Sequence, residues 1–181
     1  LENKYFCNLI LDMLGELITS KTRLRLLIKF FISQANKGYL NGLANEMGES
    51  TNSIRKELNH LYNAGYLNKI KKDNKIEYNV NSSHPLYNTL RQVVLKHLGL
   101  EDIVETVLEK MGNVKKIILV GDYARGIDSG LIEVFLVGKS LNTEYISNLE
   151  EKIEKLINRK VSFYLSSRMP SNKDSIILFS K

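Results

Sequence analysis

Leu24, Leu27, Ile28 and Phe31 recur at i, i+3, i+4 and i+7, the apolar stripe of an amphipathic helix. Ser20 or Thr22 is placed to cap it, and Gly38 to end that element. Leu40, Leu43, Ala44 and Met47 form a second, shorter stripe that closes at Gly48. Cap-type residues fill positions 49–53, and a third helix follows with Ile54, Leu58 and Leu61 inward, ending at Ala64 and Gly65. The pattern then changes period. Residues 66–71, a polar turn at 72–75, and the alternation of Ile76, Tyr78 and Val80 predict a β-hairpin with a basic tip.

Residues 79–85 are polar, and Pro85 stands near the first turn of a further helix over 85–98, striped by Leu86, Leu90 and Val94. A helix over 100–111 turns Ile103, Val107 and Leu108 inward. Apolar runs at 117–120 and 131–137 read as strands, 145–158 as a charged amphipathic helix, and 161–165 and 175–179 as two more strands. The expected class is α+β in two domains. Residues 1–83 form a helical domain with a hairpin, 84–98 a linker helix, and 99–181 a small mixed-sheet α/β domain.

Composition narrows the possibilities. With 43% hydrophobic and 25% charged residues in 181, the chain is not disordered, collagenous or of low complexity. The apolar stretch 26–32 is short and broken by Lys29, far below the ~18–20 residues that span a bilayer. Asp12 and Glu16 interrupt the apolar segment 6–18, so no secretory pattern is present. The single cysteine, Cys7, excludes an intrachain disulfide and reads as a small apolar side chain. His60, His84 and His97 lie too far apart for zinc-ligand spacing. A cytoplasmic protein without cofactor, metal or membrane contact is expected.

Charge is distributed unevenly. Residues 1–98 hold 14 Lys+Arg against 8 Asp+Glu, whereas residues 99–181 hold 12 of each. Within 50–75, Arg55, Lys56, Lys69, Lys71, Lys72 and Lys75 face only Glu57 and Asp73. Such confinement points either to a polyanionic partner or to a solvated lysine-rich surface.

Helix, short helix, turn, longer helix and basic hairpin is the layout of a winged helix-turn-helix. Residues 40–48, 50–64 and above all the string 54–67 (IRKELNHLYNAGYL) resemble that family in its arsenical-repressor-like branch, over roughly residues 20 to 80. The resemblance implies binding to double-stranded DNA, usually as a homodimer. With Ile54, Leu58 and Leu61 inward, Asn52, Arg55, Lys56 and Asn59 share the outward face. Arg can bond guanine and Asn adenine in the major groove. Ser50, Thr51 and Ser53 at the helix start suit a phosphate, and Lys71, Lys72 and Lys75 at the hairpin tip suit a neighbouring backbone or minor groove. The alternative is a scaffold that contacts protein. The apolar segment 5–18 and the helix 85–98 offer either dimer surface or packing within their own domain.

The second half carries IILVGDYARG at 117–126 and LIEVFLV at 131–137. This resembles the core of the DNA polymerase beta-like nucleotidyltransferases, over approximately residues 100 to 165. In that family a strand leads into Gly-Ser, a second strand bears Asp-x-Asp, and a later strand supplies a third acid. Gly121, Ala124, Arg125 and Gly126 match. Asp122 stands where the family has serine, the Asp-x-Asp pair falls on Leu131 and Glu133, and the third strand offers Ser162 and Tyr164 but no carboxylate. Two Mg²⁺ ions need several clustered carboxylate oxygens, and leucine cannot ligate. Gly121, Asp122, Arg125 and Glu133 are therefore expected to be a vestigial nucleotide site with no catalytic residue. Asp122, Asp128 and Glu133 form a less expected rearranged metal site. The leading expectation is a sequence-specific transcriptional regulator whose second domain serves oligomerisation, partner binding or sensing. The alternative is a Mg²⁺-dependent nucleotidyltransferase whose winged helix selects the substrate.

Overall fold

The computed structural model describes residues 18–157, 159–166 and 174–181. Residues 5–17, Cys7 and Pro170 lie outside the described residues. The fold is mixed α+β, and the chain divides into two compact units whose boundary falls between Val94 and Leu95.

The first unit is built from α1 (Lys21–Phe31), β1 (Lys37–Tyr39), α2 (Leu40–Met47), α3 (Thr51–Asn63), β2 (Leu67–Lys72), β3 (Lys75–Val80) and the start of α4 (Tyr87–His97). Ser20 caps α1 by accepting from the Arg23 N–H, and Ser50 caps α3 by accepting from the Ser53 N–H. Gly48, at φ 63, ends α2 in the left-handed conformation that glycine adopts without a Cβ clash. The core joins Leu26, Phe30 and Phe31 of α1 to Leu43 of α2, Ile54 and Leu58 of α3, and Leu67 of β2. From Leu26 to Phe31 α1 is therefore buried all round, more than a single stripe predicts. Its Lys29 is buried and pairs with Glu46 of α2 at 2.8 Å.

Three details correct the sequence reading. Gly38 does not end the first helix. It lies within β1, which pairs antiparallel with β3 opposite Tyr78. A Cβ there would stand 2.6 Å from the Leu43 side chain. Ile76 does not continue the inward face of Tyr78 and Val80, because the hairpin runs past the core and leaves it exposed. Leu86 is exposed ahead of α4, and Tyr87 takes its place, stacked on Phe31 with ring centroids 5.8 Å apart.

The second unit contains α5 (Leu100–Lys110), β4 (Gly112–Val120), the single turn α6 (Gly121–Ala124), β5 (Leu131–Leu141), α7 (Ile146–Ile157), β6 (Lys160–Ser166) and β7 (Ile176–Ser180). Its sheet runs β6-β5-β4-β7, with β5 and β6 parallel and the other neighbours antiparallel. Ile103 and Val107 of α5, and Leu149, Ile153 and Ile157 of α7, are fully buried. Leu108, expected inward, is exposed, because the buried stripe of α5 runs through Leu100, Ile103 and Val107. The outer edge of β6 is closed by its own crossover helix. Glu154 accepts from the Val161 N–H at 3.0 Å and Glu150 from the Phe163 N–H at 2.9 Å.

Candidate nucleic-acid interface

Helix α3 buries Ile54, Glu57, Leu58 and Leu61, a stripe at helical spacing. The opposite face presents Thr51, Asn52, Arg55 and Lys56 to solvent, with Asn59 half-buried beside them. Ser53 belongs elsewhere. It is half-buried, and its hydroxyl meets that of Thr22 at 3.1 Å, joining the starts of α1 and α3. Ser50 is exposed, but its oxygen is engaged in the cap.

Helix α3 is tied to α1 by a buried carboxylate. Glu57 accepts from Arg23 Nε at 2.7 Å and from the Ser20 hydroxyl at 2.8 Å. Burial pushes its pKa up, but the bonds from Arg23 and Ser20 outweigh this and hold it below the usual carboxylate range. His60 stands at the rim, its Nδ1 3.3 Å from Arg23.

The hairpin β2–β3 lies beside α3. Alternation puts Leu67, Lys69 and Lys71 on one face, opposite Val80, Tyr78 and Ile76. Leu67 and Val80 enter the core, and Lys69 meets α3. Its ammonium donates to Asn59 Oδ1 at 3.1 Å and sits 3.9 Å from the centre of the Tyr62 ring. The centre of the Tyr78 ring is 5.7 Å from it. On the other face Glu77 is buried and ties all three strands together. It accepts from Tyr39 at 2.9 Å, pairs with Lys72 at 3.0 Å, and has Lys37 at 3.6 Å. The Lys72 bond lowers the Glu77 pKa and raises that of Lys72. Lys71, Lys72 and Lys75 are all exposed, but Lys72 is paired with Glu77 and is thus not a free tip cation. Sequence reasoning misses Lys69, Tyr62 and Glu77 as members of this surface. Period-two alternation from Leu67 carries the signal for Lys69.

In the second unit the residues matched to the nucleotide motif fall into two pairs, Gly121 with Glu133 and Asp122 with Arg125. Gly121, at φ 68, ends β4, and a Cβ there would collide with the Glu133 carboxylate. Glu133 pairs in register with Ser162 and accepts from the Tyr164 hydroxyl at 3.2 Å. The Glu133 charge pushes the Tyr164 pKa up. Asp122 pairs with Arg125. Asp128 takes a separate set of partners: the buried Tyr123 hydroxyl, and Arg159 at 3.1 Å. Arg159 also donates to the His97 carbonyl at 3.4 Å. Burial and the Asp128 bond raise the Tyr123 pKa well above the usual tyrosine value. The rearranged metal site does not assemble: Asp122, Asp128 and Glu133 are each engaged with different side chains. Among the described residues no group of three His, Cys, Asp or Glu side chains could hold a metal ion. Among them, no helix is long and apolar enough to cross a membrane.

Comparison with known proteins finds no matching family model, no similar curated protein and no similar solved structure.

Proposed function

We propose that the chain is a sequence-specific double-stranded DNA-binding transcriptional regulator, acting in the cytoplasm as a homodimer. One observation carries the reading. The outward face of α3, with Asn52, Arg55, Lys56 and Asn59, stands beside a basic hairpin to which Lys69 joins it. A helix with cations on its exposed face fits the major groove, and a neighbouring hairpin reaches the adjoining backbone. The buried Glu57 bonds suit this role, because they hold α3 to α1 with that face outward. The resemblance to winged helix-turn-helix proteins supports the same reading. Specificity comes from the α3 face, and sequence-independent affinity from Lys71 and Lys75 together with Arg55 and Lys56.

The second unit is proposed as a non-catalytic module for oligomerisation, partner binding or sensing. Glu133 is the one acid kept at the positions matched to the nucleotidyltransferase triad, and its oxygens face Gly121 and Tyr164. A single carboxylate does not hold two Mg²⁺ ions.

The test titrates the full chain into labelled random-sequence duplex over a salt series. Arg55→Ala/Lys56→Ala serves as control. Binding should weaken steeply with salt, with a log–log slope shallower by about 0.9 for each phosphate that the control no longer neutralises. Absence of binding even at low salt overturns the reading and makes the unit a protein-binding module.

A further inference from the structure

The two outward asparagines each have one defined orientation. An asparagine amide carries one acceptor and one donor end, whereas Lys and Arg carry donors only. The atom turned to a cation is therefore the carbonyl oxygen. Asn52 Oδ1 accepts from Arg55 at 2.9 Å, and Asn59 Oδ1 from Lys69 at 3.1 Å. What remains outward is the amide N–H₂ of each asparagine, the rest of the Arg55 guanidinium and the Lys56 ammonium, with the Thr51 hydroxyl at the first turn, where it suits a phosphate. The carboxylate of α3, Glu57, is buried on the opposite side. The Ser50 oxygen already accepts from the Ser53 N–H.

Resting on the DNA-binding reading above, we infer that this face reads guanine and discriminates against adenine. In the major groove guanine offers two acceptors, O6 and N7. Adenine and cytosine each present an amino group that needs an acceptor. The bidentate asparagine–adenine pair requires a carbonyl oxygen free to accept from that amino group. Each of these oxygens keeps a second lone pair, but a cation already sits against it, and that positive charge repels the amino hydrogens. Each half-site therefore carries guanines where Asn52, Arg55 and Asn59 meet the bases. Lys69 is a positioning residue. Held over the Tyr62 ring and bonded to Asn59, it orients the Asn59 amide without touching DNA.

Selection from a random duplex pool with the full chain tests this. Guanine columns are expected, and replacing one of those guanines by adenine, or by 7-deazaguanine to remove N7, weakens binding about tenfold. Lys69→Met should let adenine compete at the Asn59 column while the salt slope stays unchanged. Lys69→Arg, which keeps a donor and a cation over Tyr62, should restore guanine. Circular dichroism melts establish that each variant is folded. An adenine column that Asn59→Ala abolishes in the otherwise unaltered chain overturns the inference. So does a salt slope shallower by about one unit in Lys69→Met, which makes Lys69 a phosphate ligand. Binding without base preference also overturns the inference, yet leaves duplex binding standing. No binding at low salt removes the function itself and the inference with it.

Discussion

Arg23 Nε of α1 lies 2.7 Å from Glu57 Oε2 of α3, and Glu57 is buried. The pair ties α1 to α3 in the rotation that burial of Ile54, Leu58 and Leu61 selects. Truncation by Glu57→Ala leaves the Ser20 hydroxyl and the Arg23 guanidinium without their acceptor. The expected loss is about 2 kcal/mol, read as a fall of about 10 °C in the melting temperature of the first unit.

The same carboxylate gives a pH dependence. Its folded pKa lies below the ordinary value, so the folded state binds its proton more weakly than the unfolded chain. The stabilisation is complete above the unfolded value, ~4.3, and is lost as the pH falls through the lower folded value. Glu57→Gln lacks this component. Urea titrations from pH 7 to pH 2 should show the difference between the two proteins shrinking below about pH 4. A constant difference across that range contradicts the assignment.

Asp128 offers a second test, in the other unit. Burial pushes its pKa up, but the bonds from Arg159 and Tyr123 hold it below the usual range. With Arg159→Met the burial contribution is no longer opposed by the guanidinium, and the carboxyl should titrate higher. Carboxyl carbon shifts followed by NMR report this directly. In the unaltered protein this stability is present above the ordinary carboxylate value and disappears as the pH falls through the lower folded one.

Gly121 is constrained twice, by its φ of 68 and by the Glu133 carboxylate. Gly121→Ala should cost about 1–2 kcal/mol from backbone conformation, and the Glu133 carboxylate, at the end of a flexible side chain, must also swing aside. In a double-mutant cycle, adding Glu133→Ala should recover the steric part and leave the backbone part. Full recovery shows that the φ restriction contributes nothing.

The β6 edge makes a prediction about association. Glu150 and Glu154 occupy the N–H groups of Phe163 and Val161, which otherwise present a pairing edge. The double alanine variant should self-associate with rising concentration in light scattering. The double glutamine variant keeps a carbonyl acceptor at each position and should behave as the unaltered chain.

The order of the longer helices and strands is legible in the amino-acid sequence, because apolar spacing of 3.6 or 2 residues follows directly from helix and strand geometry. So is the outward face of α3, since burying Ile54, Leu58 and Leu61 leaves Asn52, Arg55 and Lys56 no other direction. Ser20, Ser50 and Gly48 fall at helix ends for local reasons that need no neighbour. Which polar groups are engaged is settled only by the folded arrangement. Strand β1 is illegible because three residues carry no period, and pairing with β3 creates it. Lys72 and Lys75 look alike in sequence, but only the first is drawn to Glu77 across the sheet. Ser53 reads as a phosphate ligand from the chain alone, yet Thr22, 31 positions away, takes up its hydroxyl. The orientation of Asn59 depends on Lys69 in another element. Neighbours distant in the chain are brought together by packing, which local periodicity does not encode.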